Sequence, residues 1–401
     1  MAFVDLGLLA AGVAGALVRP WRLPGWLVAV LAVAVGLAVG SLGLDQAGQA
    51  LRPLVDALGF VLAVVPLSVL LDRLGFFEQA ALLLARGPST AAGLWALAAF
   101  VTAVLNLDAS VVLLTPLYVR LARQSGMSER SLAFQPVLLA CLASSFLPVS
   151  NLTNLIAAAH TGASPVSFLV HLGPPSLVAT VVGYVCYRRL LPPGIPASSG
   201  SPGALPVTLT ARPLVVGGGV VAVVLAGFVA GPSLGLKPWE VALAADAVLI
   251  ALTRHVPLRQ VPWGTALVAA ALAVLAAAAI AHANVSAVVG GQSLASTART
   301  VAVSAAGASL VNNLPATLVG LHAMGAHPGN GLWALLLGAN VGPLFVVTGS
   351  LAGLLWLDAM GRLGVRCGAR EYSRVGLMVG VPALVVATGV LLGLQPLLGG
   401  R

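Results

Sequence analysis

Asn106 and Asp108 lie in VLNLDASVVLLTP (104–116), within an uncharged and mostly apolar run. A carboxylate at bilayer depth is expensive unless it faces protein or water, so an intramembrane aspartate is a functional-site candidate by default. Further polar boxes interrupt apolar segments downstream. FLPVSNLTN (146–154) holds Ser150, Asn151, Thr153 and Asn154; VNNLP (311–315) holds Asn312 and Asn313; GANVGP (338–343) holds Asn340; TGSLAGLL (348–355) holds Ser350.

Backbone that leaves helical geometry at membrane depth survives only where it is buried in protein or lines a wet cavity. Pro148 and Pro315 remove a donor and turn the preceding residue away from helical angles, and neighbouring amides and hydroxyls can serve the freed backbone groups. Gly338, Gly342 and Pro343 permit an interruption near 338–343. Four interruptions, two per half, would bring amides, hydroxyls and half-helix ends together near the midplane, a binding site for a small hydrophilic solute. The plainer alternative is that these Asn and Ser residues are interhelical glue, worth ~0.6 kcal/mol each.

Two aspartates fall at expected midplane depth, Asp108 at a hairpin tip and Asp246 in the span 238–253. Either is a natural proton carrier for coupled transport. No Arg or Lys falls at an expected midplane, so an anionic substrate lacks a fixed cationic anchor, and a tip aspartate would repel it. The chemistry tilts toward a neutral or cationic solute.

The elements that must position these residues are membrane helices. Hydrophobic residues make up 59% of the chain and charged ones 8%, where a soluble domain carries about 25% charged residues. The mean hydropathy is +1.03. An all-α polytopic membrane protein is expected, in the cell inner (plasma) membrane. The net charge of +9 comes from basic residues scattered singly between apolar runs, which excludes a nucleic-acid-binding face. Cys141, Cys186 and Cys367 are too dispersed for a disulfide framework or zinc site and read as buried structural thiols. His160, His171, His282, His322 and His327 read as solvated interfacial residues. No cofactor is expected.

Ten spans are expected, at 2–18, 25–44, 53–71, 132–165, 174–190, 213–231, 238–253, 263–283, 331–358 and 375–397. Re-entrant hairpins are expected at 88–122 and 299–326, with the polar boxes as their tips. With residue 1 outside, only Arg52, Lys237, Arg299 and Arg401 of the 20 basic residues fall outside, as the positive-inside rule demands. Arg86 before the first hairpin and Arg120, Arg123 and Arg130 after it favour one cytoplasmic side. A Pro-, Gly- and Ser-rich stretch, 191–212, reads as a cytoplasmic linker between repeats 1–190 and 213–401. Each repeat then has about five transmembrane helices and one hairpin, and the two are inverted. Twelve ordinary helices are the alternative.

DRLGFFEQAALLLAR (72–86), LNLDASVVLLTPL (105–117), VSNLTNLIAA (149–158), NNLPATLVG (312–320) and GANVGPLFVVTGSLAGLLWL (338–357) together resemble the arsenical pump membrane protein family, the arsenite and antimonite permeases. That family belongs to the ion transporter superfamily, which also holds divalent anion:sodium symporters. The resemblance implies a proton-coupled antiporter for arsenite or antimonite efflux, working in some members with a soluble ATPase subunit; a homodimer is held open as well. Arsenite near neutral pH is largely an uncharged trihydroxide, whose hydroxyls Asn and Ser can serve as donors and acceptors. Substrate contacts are expected from Asn106, Asp108, Ser150, Asn151, Thr153, Asn154, Asn312, Asn313, Asn340 and Ser350, and proton coupling from Asp108 and Asp246. Members commonly show Asn-Asp at the first tip, where this chain has Leu107-Asp108, and an acidic residue in the last box, where it has Asn340.

A cation/proton antiporter, or a permease for another small inorganic or organic solute on the same scaffold, is the alternative within transport. An intramembrane enzyme would need a metal cluster, paired carboxylates or a nucleophile with its base; neither HExxH nor GxSxG occurs. A receptor or scaffold would want a soluble partner-binding domain, and the longest hydrophilic stretch is the linker.

Overall fold

The computed structural model describes residues 2–18, 23–85, 89–192, 209–280, 289–290, 293–325 and 329–398, and all regular structure among them is helical. Most of the expected linker, Arg19, Arg22, Arg86, His282, His327 and Arg401 lie outside the described residues. Five helical stretches are long and apolar enough to cross a membrane, namely 44–73, 211–234, 258–279, 294–311 and 369–397. A sixth counts if the pair 165–171 and 173–190, bent by 52°, is one span. With the composition, these make a polytopic membrane protein. Several of the other expected spans appear as shorter or broken helices.

The first half comprises α1 (Ala2–Val18), α2 (Gly25–Val39), α3 (Leu44–Leu51), α4 (Val55–Arg73), α5 (Phe76–Ala85), α6 (Thr90–Val104), α7 (Leu107–Ser125), α8 (Glu129–Leu142), α9 (Leu152–Thr161), α10 (Pro165–His171) and α11 (Gly173–Leu190). The second comprises α12 (Ala211–Ala230), α13 (Pro238–Thr253), α14 (Trp263–Ile280), α15 (Leu294–Val311), α16 (Asn313–Met324), α17 (Asn330–Val341), α18 (Leu351–Arg362) and α19 (Ala369–Leu398). Short helices α3, α5 and α10 were not among the expected spans.

α6 and α7 fold back on each other across the break at 105–106. The Tyr118 hydroxyl of α7 donates to the Leu94 carbonyl of α6, and Ser110 approaches Ala98 nearer the break, so the arms run antiparallel. α15 and α16 also fold back on each other at Asn312, since a Cβ at Gly307 would lie 3.6 Å from that of Ala316. The expected span 132–165 is α8 and α9 separated at 143–151, where Pro148 opens a 3-10 turn.

The last break departs from expectation. α17 runs through Gly338 to Val341, and the interruption lies at 342–350 instead of 338–343. The glycines of GANVG serve packing: a Cβ at Gly338 or Gly342 would collide with the Val301 or Ala305 carbonyl of α15. That is the small-xxx-small logic of close helix approach in membranes.

Packing between the halves is reciprocal. α7 lies against α18 and α16 against α9; α8 meets α18 and α17 meets α9; α8 touches its counterpart α17, and α11 its counterpart α19. Segments that the charge pattern assigns to one membrane face also meet each other. Arg123 donates to the Leu363 carbonyl at 2.7 Å and Arg130 pairs with Glu371, whereas Lys237 pairs with Asp56 at 3.0 Å.

Candidate functional site

Each interruption ends in a capped helix start. Asn106 Oδ1 accepts the Asp108 amide at 2.8 Å ahead of α7, and Asn312 Oδ1 accepts the Leu314 amide at 3.2 Å ahead of α16. Asn151 Oδ1 accepts the Thr153 amide at 3.3 Å ahead of α9, and Ser350 Oγ accepts the Gly353 amide at 3.3 Å ahead of α18. The first turn of any helix leaves four N–H groups without intrahelical partners, and one side chain serves only part of them. The rest point outward with the positive end of the helix dipole.

These four starts converge on one cavity of about 440 Å³. Its wall includes Leu107, Asp108, Asn151, Leu152 and Thr153 from the first half and Asn312, Asn313, Leu314, Ser350 and Leu351 from the second. α14 adds the apolar side chains of Val268, Ala269 and Leu272, and the heads of α2 and α14 bring Trp26 and Trp263. Among the described residues, Asp108 is the only charged side chain lining it. The Asp108 Oδ1 is buried with no hydrogen-bond partner among the described residues. The same aspartate also borders a second chamber of about 300 Å³, with Ser68, Gln260 and Thr265.

The sequence-expected residues therefore divide into two groups. Asp108, Asn151, Thr153, Asn312, Asn313 and Ser350 line the cavity. Asn106, Ser150, Asn154 and Asn340 are absent from its wall and hold its frame. Asn340 Oδ1 accepts from Asn151 Nδ2 at 2.7 Å and Thr153 Oγ1 at 3.2 Å, and its Nδ2 donates to Ser145 Oγ at 2.8 Å and Asn154 Oδ1 at 2.9 Å. Asn154 Nδ2 in turn donates to the Ser144 and Leu147 carbonyls at 2.7 and 3.1 Å. One buried amide of the second half thus ties down the broken segment of the first. Ser150 Oγ donates to the Ala103 carbonyl at 2.6 Å and accepts the Leu147 amide at 3.2 Å, pinning the break to α6. Asp246 is buried on α13, which packs on α4, and lines neither chamber.

Sequence reasoning missed Trp26, Trp263, Thr265 and Ser145. A signal for the tryptophans was present: PGW (24–26) and PWG (262–264) open two apolar runs with the same three residue types. The structure brings the two together, since a Cβ at Gly264 would lie 3.1 Å from the Trp26 ring.

Residues 13–342 match the citrate transporter family. The chain belongs to that family. Among curated proteins it is 27% identical to an arsenical pump membrane protein of Yersinia enterocolitica over 402 residues, 92% of each chain. It is also 27% identical to an arsenical pump membrane protein of Escherichia coli over 371 residues, 84% of this chain and 86% of the relative. An uncharacterized transporter of Mycobacterium tuberculosis is 24% identical over 422 residues, 96% of this chain and 97% of the relative. The resemblance read from the polar boxes thus extends along nearly the whole chain. The protein is a multi-pass membrane transporter and not an enzyme.

Proposed function

We propose that the chain is a secondary active transporter of the inner membrane that exports arsenite or antimonite in exchange for protons, by alternating access between two inverted repeats and their re-entrant hairpins. The central cavity carries this reading: four helix starts, three asparagines, three hydroxyls and a single carboxylate face one space, with no Lys or Arg among the described residues that line it. A neutral trihydroxide offers both donors and acceptors, which suits amides, hydroxyls and leftover helix N–H groups equally well. The curated relatives named as arsenical pumps point the same way.

The cavity lining includes Pro24, Gly25 and Trp26 and residues 261–264, which lie at or beside connections that the charge pattern assigns to the cytoplasm. In this conformation the solute enters from inside. Its hydroxyls bond to Asn151, Asn312, Asn313 and Ser350. Asp108 takes up a proton when the cavity faces outward and gives it to the cytoplasm when the cavity faces inward, so the solute leaves as the proton enters.

One feature favours a second reading, a permease for a small organic anion. Four helix starts place positive dipole ends around the cavity, as an anion site would. The carboxylate of Asp108 at one of those starts, and the lack of a basic side chain among the described lining residues, weigh against it. The test is uptake of radiolabelled arsenite into everted vesicles with and without a pH gradient. Wild type should accumulate arsenite under the gradient, and Asp108→Asn should lose that accumulation. Unchanged accumulation in the variant would remove Asp108 from coupling; gradient-driven citrate uptake that arsenite leaves untouched would establish the anion reading.

A further inference from the structure

A third cavity, remote from the central one, lies where the halves meet at the end of α11 and the start of α19. It measures about 440 Å³ and is lined by Arg130, Arg370, Glu371 and Arg374 together with Leu190, Leu191, Val375 and Met378. Glu371 is already paired with Arg130. Arg370 and Arg374 are exposed, one helical turn apart on α19, and no carboxylate is within salt-bridge distance of either among the described residues. The stretch 192–210, which follows Leu191, contains no Asp or Glu that could neutralise them.

We propose that this cavity binds the head group of an anionic phospholipid of the cytoplasmic leaflet. Two guanidinium forks match a phosphodiester in geometry and charge. The apolar half of the lining decides between a lipid and a free phosphate. Leu190 and Leu191 end one apolar helix, Val375 and Met378 begin another, and Met378 is 45% exposed. Charged groups at the rim and an apolar wall leading away from them fit the junction of head group and acyl chain, whereas an inorganic ion would use only the rim. Basic pockets between membrane helices on the cytoplasmic side bind lipid head groups by this combination. The bound lipid would bridge α8 and α11 of the first half to α19 of the second, and its binding does not depend on which solute is carried.

Full-length protein in phosphatidylcholine nanodiscs, titrated with phosphatidylglycerol and read by native mass spectrometry or a fluorescent phosphatidylglycerol, tests the site. Wild type should retain phosphatidylglycerol, and R370Q/R374Q should bind it more weakly by on the order of thirtyfold, the effect of two arginines facing anionic lipid. Arg366→Gln, a basic residue of the same segment outside the cavity, should bind as wild type and controls for folding. Equal retention by R370Q/R374Q, or equal retention of phosphatidylcholine and phosphatidylglycerol by wild type, overturns the proposal. Displacement of the lipid by millimolar inorganic phosphate overturns it as well, by showing a site for the free ion.

Discussion

At the α7 tip, Asn106 caps the helix and Asp108 follows two positions later; at the α16 tip, Asn312 caps the helix and Leu314 holds the equivalent place. Both asparagines do the same work, because any helix that starts inside a membrane protein must find acceptors for its first amides. Only one tip carries charge. A second unpaired carboxylate in the same cavity would add its own desolvation and repel the first, and one suffices to carry a proton. The backbones differ too: Asn106 is extended (φ 170°), whereas Asn312 has φ 85° and ψ 150°, a region that favours glycine. Capping is thus shared by the two tips, while charge and strain are each confined to one.

The largest expected effect comes from the residue that binds one half to the other. Asn340→Ala leaves Asn151, Thr153, Asn154 and Ser145 short of partners, and should destabilise the protein by roughly 3 kcal/mol or more, at about 1–3 kcal/mol per unpaired buried group. Unfolding in detergent measures it; a loss under about 1 kcal/mol would mean that Asn340 does not hold the frame.

Next is an exchange of charge between the tips. In D108N/L314D the carboxylate still faces the central cavity but no longer borders the chamber of Ser68 and Gln260, which Asp108 lines and Leu314 does not. Arsenite accumulation should stay at the level of Asp108→Asn. Restored coupling would make the tips interchangeable and the second chamber irrelevant.

Strain separates the tips by a smaller margin. Removing an Asn cap costs about 1 kcal/mol with Ala and a few tenths with Gly. At position 312 the backbone adds a further preference for Gly, so Asn312→Gly should exceed Asn312→Ala in stability by about 2 kcal/mol, against less than about 1 kcal/mol for the same pair at Asn106. Equal gaps at both positions would remove the strain. The smallest effect is expected at the outer rim, where Lys237→Ala breaks an exposed pair with Asp56 and should cost under about 1 kcal/mol in the same unfolding assay.

The polar boxes were legible in the sequence because an amide or carboxylate amid apolar residues has few reasons to be there. So were the breaks at 143–151 and at Asn312, where proline and capping residues stand together; the break at 105–106 has the cap Asn106 but no proline nearer than Pro116. The GANVG break was misplaced because glycine has two uses, freeing the backbone and admitting a neighbour, and local sequence does not say which. Asn340 was read as a substrate contact for the same reason: its partners lie about 190 residues away. Asp246 showed the converse, a carboxylate within an expected span that the fold keeps away from the cavity.

By itself the sequence determined that this chain lives in a bilayer, that its helices break at polar boxes, and that at least one carboxylate interrupts an apolar run. Those features follow from the cost of placing charge and unpaired backbone in hydrocarbon, which is paid residue by residue. Only the tertiary structure decided which boxes share a cavity, which amides face it and which merely support it, and that among the described residues Asp108 is the one charged side chain bordering both chambers. Such choices depend on contacts between the two halves of the chain, and hydropathy carries no record of them.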